Sequence, residues 1–258
     1  MNEHATENET MKAIIHRKSA RAFDDRPIPD EIRQAILLSA AQAPTAGNQM
    51  LYTILDITDQ ALKETLSKLC DNQPFIAAGK MVLIFLADYH RWLDTYRAAG
   101  LSPRGPMLGD LLLACADAVI AAQNTVVAAE SFGVGSCYIG DIMENAEQVR
   151  GLLSLPSEVM PAAMLVFGYP AAQQLNRRKP ERFDLRYIVF ENQYKTLPKE
   201  VHREMYMDRE TRSGRPDTNF EKSVEAFWRR KYESDFAVEM SRSAGVYLKA
   251  FEQKGNDL

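Results

Sequence analysis

The sequence is poor in the residues that build metal centres and disulfide scaffolds: 3 Cys, 4 His and 2 Trp in 258 residues. Cys70, Cys115 and Cys137 are an odd number at wide spacing with no CxxC, which argues against a disulfide framework and fits a reducing compartment. His4, His16, His90 and His202 are scattered, and no HExxH occurs, so no metal site is expected. A GxSxG elbow and a GxxxxGK[ST] loop are both missing. Gly133-Val134-Gly135 lacks the third glycine of a dinucleotide fingerprint and follows a helical pattern, so it reads as a helix end. Long apolar runs are lacking too. The most apolar stretch, Met81 to Ala87, has the length of a buried strand, whereas a membrane span needs about 20 residues. The acidic start MNEHATENET has neither the basic residues nor the apolar run of a secretory signal, so a cytoplasmic protein is expected. A basic excess is also absent: 31 Lys and Arg against 35 Asp and Glu give a net charge of −4, which disfavours nucleic acid as a partner.

What is present is a mixture of helical and strand patterns without repeats. Helices are expected over Thr10–His16, Glu31–Ala43, from Thr58 or Asp59 to about Leu69, over Leu108–Phe132 and near Ala146–Leu153. Strands are expected at Leu51–Ile57, Met81–Ala87, Ser136–Gly140, Met160–Tyr169 and Tyr187–Phe190, with loop sequence between Asp88 and Leu108. The long helix repeats Leu112, Cys115, Val119, Ala122, Val126 and Ala129 at three and four residues, which suits the centre of a domain or the seam of an oligomer. Its Asp110, Asp117, Gln123 and Asn124 argue against lipid surroundings. After Asn192 the chain alternates charges and aromatics. The organisation expected is an α+β core over residues 1–192 and a helical C-terminal extension over 193–258.

Two cationic clusters could carry chemistry. Arg17, Lys18, Ser19 and Arg21 combine guanidinium forks, an ammonium and a hydroxyl, a set that suits a phosphate monoester; a solvated basic stripe is the alternative. In an extended chain Arg17, Ser19 and Arg21 share one side. Arg177-Arg178-Lys179-Pro180-Glu181-Arg182 is a second anion-site candidate or a surface turn, and the two could converge on one phosphate.

Between these clusters stand RKSARAF, APTAGN, AAQNTVVAAESFGVGSCYIG, FGYP, KPER and ENQY, in that order. Over about residues 10 to 197 the chain resembles the FMN-dependent nitroreductases, and its extension is similar to that of the NADPH-preferring, oxygen-insensitive nitroreductase and flavin reductase branch. The resemblance implies a central, mainly antiparallel sheet flanked by helices in a domain-interlocked homodimer. It implies that Arg17, Lys18 and Ser19 hold the FMN phosphate and ribityl chain and that Arg21 reaches the pyrimidine edge. Thr45 and Asn48 fall where a loop meets the flavin, usually that of the other subunit, and Gln73 at a position bonding the pyrimidine. Tyr138, Ile139, Gly140 and Asp141 match the strand end over the ring, with Asp141 where relatives often carry a second glycine. Lys179 and Arg182 match a phosphate clamp. TRSGRPD resembles a basic loop for the donor's 2′-phosphate, with Arg212 and Arg215 as candidates; a solvated helix end is the alternative. The activity implied is ping-pong hydride transfer from NADPH or NADH through FMN to nitroaromatics, quinones or flavins. The alternatives are a specialised relative, such as a reductive dehalogenase or flavin-consuming enzyme, and a non-catalytic flavin sensor.

Overall fold

A computed structural model describes residues 8–252. Most of the acidic start, His4 included, lies outside the described residues. The chain falls into two compact units, Met1–Arg177 with Glu239–Leu258, and Arg178–Val238.

The first unit is built on a four-stranded sheet in the order β1-β2-β4-β3, with β1 Tyr52–Asp56, β2 Met81–Asp88, β3 Gly135–Ile139 and β4 Val159–Gly168. Every neighbouring pair is antiparallel, with Ile54 opposite Phe85, Phe85 opposite Ala163 and Cys137 opposite Val166. All eight positions of β2 are buried because both faces of the sheet are covered. Alternation then sorts its side chains: Leu83 and Phe85 join Ile36, Ala40, Ala118 and Val126 on one face, while Val82 and Ile84 join Leu66, Ile76 and Val149 on the other. Each such fully buried side chain contributes about 1.5–3 kcal/mol relative to exposure.

The helices of this unit are α1 Glu9–His16, α2 Asp30–Ala41, α3 Gln60–Leu69, α4 Pro74–Ala78, α5 His90–Ala98, α6 Leu108–Ser131, α7 Ala146–Leu152 and α8 Ala172–Leu175. Of the two residues that could begin α3, Asp59 is the cap: its carboxylate accepts the Leu62 amide at 2.7 Å. The long helix α6 is long and apolar enough to cross a membrane, but its Ala114, Ala118, Ala121, Ala122, Val126 and Ala129 are buried in the core.

The stretch expected as loop after Asp88 contains α5. Its Leu93 is buried, the Trp92 indole donates to the Gln49 carbonyl at 2.8 Å, and the Asp88 carboxylate accepts the Arg91 amide at 3.3 Å. The strand expected at Tyr187–Phe190 is not formed. Leu185–Tyr187 is instead a 3-10 turn, whose Tyr187 hydroxyl is engaged by Arg186 and Glu204 while Ile188 and Val189 stay exposed. The division at residue 192 also differs from that of the compact units. The second unit contains α9 Lys199–Arg212 and α10 Phe220–Lys231, but α11 Asp235–Leu248 counts with the first unit from Glu239 onward. The reason is apolar: Tyr247 and the following Phe251 are buried against Leu51, Ala87, Leu111 and Met160.

Candidate functional site

The Arg17–Arg21 segment leaves α1 in an extended conformation and lies along β3. Ser19 forms a parallel bridge with Ser136, whose carbonyl accepts the Ala20 amide at 2.9 Å. Gly135 permits this approach, since a Cβ there would stand 2.8 Å from the Ala20 Cβ and 2.7 Å from Pro170 Cγ. The buried Gln174 fastens the segment from the other side, its amide donating to the Ser19 carbonyl at 3.1 Å and its oxygen accepting the Arg21 amide at 3.3 Å.

The three cations of this segment have different roles. Lys18 Nζ donates to the carbonyls of Leu175 and Arg177, both at 2.6 Å, and so ties down the end of α8. Arg17 Nε is buried and has no hydrogen-bond partner. Arg21 is exposed and, with Ala22, Gln173, Gln174, Asn176 and Arg177, lines an open groove of about 520 Å³. Arg177 thus brings the start of the second cationic cluster to the first.

At the end of β3, Ile139 is a core residue and offers only its backbone. Burial pushes the Tyr138 phenol up to about 12, against the opposing charge of Arg17, so it stays protonated; its hydroxyl donates to Gln123 at 3.3 Å. Gly140 is exposed, with no heavy atom within 4 Å of the place its Cβ would occupy, which leaves the backbone open to a flat ligand. Asp141 begins the next turn. That turn is joined to the end of α3 by Asn145, whose side-chain amide donates to the Leu69 carbonyl at 3.0 Å. The Gln73 amide itself donates to the Cys70 carbonyl at 2.9 Å.

The loop carrying Thr45 and Asn48 is organised from α6. The Asp117 carboxylate is buried and accepts the Thr45 hydroxyl, the Ala46 amide at 2.9 Å and the Leu51 amide at 3.2 Å. Gly47, Asn48 and Met50 all have left-handed φ, of 56°, 58° and 51°. Glycine and asparagine accept this conformation readily, methionine does not.

The remaining predicted residues lie in the second unit. Arg182 and Arg215 line a cavity of about 660 Å³ with Tyr206, Arg209, Phe227 and Arg230. Arg215 is paired with the buried Glu210 at 2.6 Å. Arg212 is outside the cavity lining and is held by Asp208 at 2.8 Å, Glu181 at 3.1 Å and the Arg182 carbonyl at 2.7 Å. Lys179 also belongs to this unit.

Three residues escaped the sequence reading. Gln174 follows FGYP with no distinguishing pattern. Asp117 carried a signal, because an acid among Ala114, Ala118 and Ala121 falls on the buried face of α6 and must find donors. Glu144 is buried beyond Asp141; burial first, then the charges of Asp141, Asp71 and Glu239, push its carboxyl up to about 7.

The chain that forms this arrangement, an antiparallel sheet with a cationic segment along one edge strand and an exposed glycine at that strand's end, is similar in sequence and fold to known proteins. Residues 14–169, more than half of the chain, match the Nitroreductase family. An oxygen-insensitive NADPH nitroreductase of Salmonella typhimurium is 34% identical over 192 residues, 74% of this chain and 77% of its own length. An FMN reductase (NADPH) of Bacillus subtilis is 32% identical over 189 residues, 72% of this chain and 75% of its own. Among solved structures, B. megaterium NfrA2 superimposes with a TM-score of 0.74 at 29% identity, covering 92% of this chain and 97% of its own. The NADPH:FMN oxidoreductase of Vibrio harveyi complexed with NAD+ gives 0.70 at 26%, covering 95% and 98%. The chain belongs to the nitroreductase family. It is an NAD(P)H-dependent flavin oxidoreductase that uses FMN.

Proposed function

We propose that the groove beside β3 holds FMN, with Arg17 and Ser19 toward the phosphate and ribityl chain and Lys18 supporting them from behind, Arg21 toward the pyrimidine edge, and the backbone of Tyr138, Ile139 and Gly140 facing the ring. The observation that carries this reading is the buried, unpartnered Nε of Arg17 in a segment fixed along the edge strand. A buried N–H without an acceptor costs about 1–3 kcal/mol, and an anionic oxygen removes that cost. The donor set therefore fits a phosphate. Lys18 acts through α8, on whose end its ammonium is spent. Bound FMN supplies the hydride acceptor that no side chain of the chain provides. Arg21 lines the groove and places positive charge there, and Gln73 and Asp141 are further candidates for flavin contacts. Thr45 and Asn48 contribute from their loop, and Lys179 and Arg182 are the candidates for a phosphate clamp.

The same proposal extends to NADPH as donor. The second-unit cavity carries Arg182, Arg209, Arg215 and Arg230 next to Tyr206 and Phe227, chemistry suited to a nucleotide phosphate and its base. Arg215 is the candidate with a side chain at that cavity; Arg212 supports the loop through Asp208 and Glu181. Acceptors are nitroaromatics, quinones or flavins. The working form is a cytoplasmic homodimer, supported by exposed Leu112, Leu113, Val119 and Ile120 on α6 and by Met11 and Ile14 on α1. The test is a visible spectrum of the purified protein: a yellow protein whose absorbance near about 450 nm falls with NADPH, and less readily with NADH, supports the reading. A protein that stays colourless after addition of FMN overturns it.

A further inference from the structure

The hydrogen bonds converging on Asp117 define a second layer behind the loop that carries Thr45 and Asn48. One buried carboxylate takes two backbone amides and one hydroxyl from three residues of a single loop, and all four of its neighbours in the next turn of α6 are apolar or small. The Thr45 hydroxyl has one proton, and that proton is given to Asp117; its oxygen also accepts the Met50 amide at 2.8 Å. Toward a ligand, Thr45 therefore has only an acceptor lone pair left.

The backbone shows what this anchoring maintains. Met50 holds a φ of 51°, which a side chain with a Cβ adopts at a cost of about 1 kcal/mol or more, and such residues persist only where their surroundings over-determine them. Here the surroundings are the Thr45 oxygen on the Met50 amide, and the Tyr52 amide and Arg91 guanidinium on the Met50 carbonyl at 2.7 and 3.3 Å. Removing the acceptor on α6 releases Thr45, and with it the clamp on Met50 and the turn at Gly47 and Asn48.

We propose that Asp117 is a positioning residue for the flavin reaction: from α6 it fixes the Thr45–Met50 loop in the one geometry in which Thr45 and Asn48 meet the cofactor, without touching the cofactor itself. This rests on the reading of Thr45 and Asn48 as flavin contacts. Because α6 also carries the exposed apolar face, Asp117 links that face to the loop through a single side chain.

The experiment compares wild type, Asp117→Asn, Thr45→Val, Thr45→Ser and the Asp117→Asn/Thr45→Val double variant, all full-length, titrated with FMN by fluorescence quenching and examined by visible circular dichroism at saturating FMN. Asp117→Asn and Thr45→Val are expected to weaken FMN binding about 10- to 100-fold, the range for lost hydrogen bonds to a charged acceptor. Thr45→Ser, which keeps the hydroxyl, is expected to stay within about threefold of wild type. The double variant is expected to be no weaker than the weaker single one, since both changes break one contact. The flavin circular-dichroism band of Asp117→Asn should change at saturation, which a loss of overall stability alone does not produce; Ile57→Ala, a buried change in the core cluster on the other face of the sheet, should lower the unfolding midpoint and leave the band unchanged. Wild-type affinity and band in Asp117→Asn overturn the inference and leave the cofactor reading intact. Fully additive losses in the double variant also overturn it. A wild-type protein that binds no FMN overturns the cofactor reading, and this inference with it. Should Asp117→Asn fail to fold, Thr45→Val against Thr45→Ser decides: equal affinities overturn the inference.

Discussion

The ammonium of Lys18 and the carbonyl of Arg177 are 2.6 Å apart, with the Leu175 carbonyl at the same distance on the same nitrogen. The first cationic cluster is thereby stapled to the beginning of the second. Two neighbouring cations consequently differ in their task, since Arg17 Nε has no such partner.

Arg17→Ala is expected to weaken FMN binding about 10- to 100-fold while moving the unfolding midpoint of the apoprotein little, because the lost nitrogen makes no protein hydrogen bond. Lys18→Met should destabilise the apoprotein by about 1–3 kcal/mol through two freed carbonyls. Thermal melts and FMN titrations on both variants check this; the opposite pattern would exchange the two roles.

Gly135→Ala tests the contact between the cationic segment and β3. The added methyl would meet the Ala20 Cβ at 2.8 Å and Pro170 Cγ at 2.7 Å, neither of which can swing aside. A stability loss of about 1–3 kcal/mol is expected, as for overpacking, together with weaker FMN binding. Retained affinity would show that the segment need not lie against β3 to bind.

Glu144 gives a pH dependence of definite sign. Its carboxyl holds its proton up to about 7 in the folded chain against an ordinary value of 4.5, so the stability it contributes is complete below 4.5 and is lost as pH rises through about 7. Glu144→Gln should remove that decline and leave the variant more stable than wild type at pH 8 by about 1–3 kcal/mol. Urea denaturation at pH 5 and pH 8 measures it, and equal wild-type slopes with pH in both proteins would refute it.

Arg242 produces the opposite sign. Its guanidinium bridges Glu147 and Glu239 at 2.9 and 2.8 Å and holds both carboxyls down at about 2. That contribution is present above the ordinary 4.5 and is lost as pH falls toward 2. Arg242→Met should flatten the acid limb of the stability profile between those limits, and an unchanged acid limb would exclude the bridge as its source.

Leu112→Glu addresses the assembly. Leu112 is 69% exposed on the outward side of α6, so a charge there leaves the protomer's core untouched. A homodimer should dissociate, read by sedimentation velocity, while the monomeric fold is retained by far-UV circular dichroism.

Strong local patterns made much of the fold readable. Met81 to Ala87 could be little else than a buried strand, and the helix expected over Leu108–Phe132 forms over Leu108–Ser131; of its expected stripe Ala122, Val126 and Ala129 are buried, whereas Leu112 and Val119 are exposed. α5 was hidden because its helical residues follow a strand and precede a run of Gly and Pro, and its apolar anchor is the single buried Leu93. The Tyr187–Phe190 stretch has strand composition, but the helical second unit offers no strand edge beside it among the described residues. At the site, Arg17 to Arg21 could be found from charge density, whereas the separate tasks of Arg17 and Lys18 depend on Leu175 and Arg177, far along the chain. Arg212 and Arg215 stood out as cations, yet their carboxylate partners Asp208, Glu181 and Glu210 emerge only from the folded helices.

The burial of every residue of β2 has a consequence for the chain before it folds. Met81 to Ala87, apolar and free of proline, is the segment most prone to self-association when two nascent or heat-unfolded chains meet, since in the native sheet it pairs on both edges and has no exposed face. Lys80 and Asp88 flank it with opposite charges, in the manner of gatekeepers that keep such a stretch soluble. These two charges therefore act on the chain while it is unfolded, a stage at which the proposed flavin groove does not yet exist.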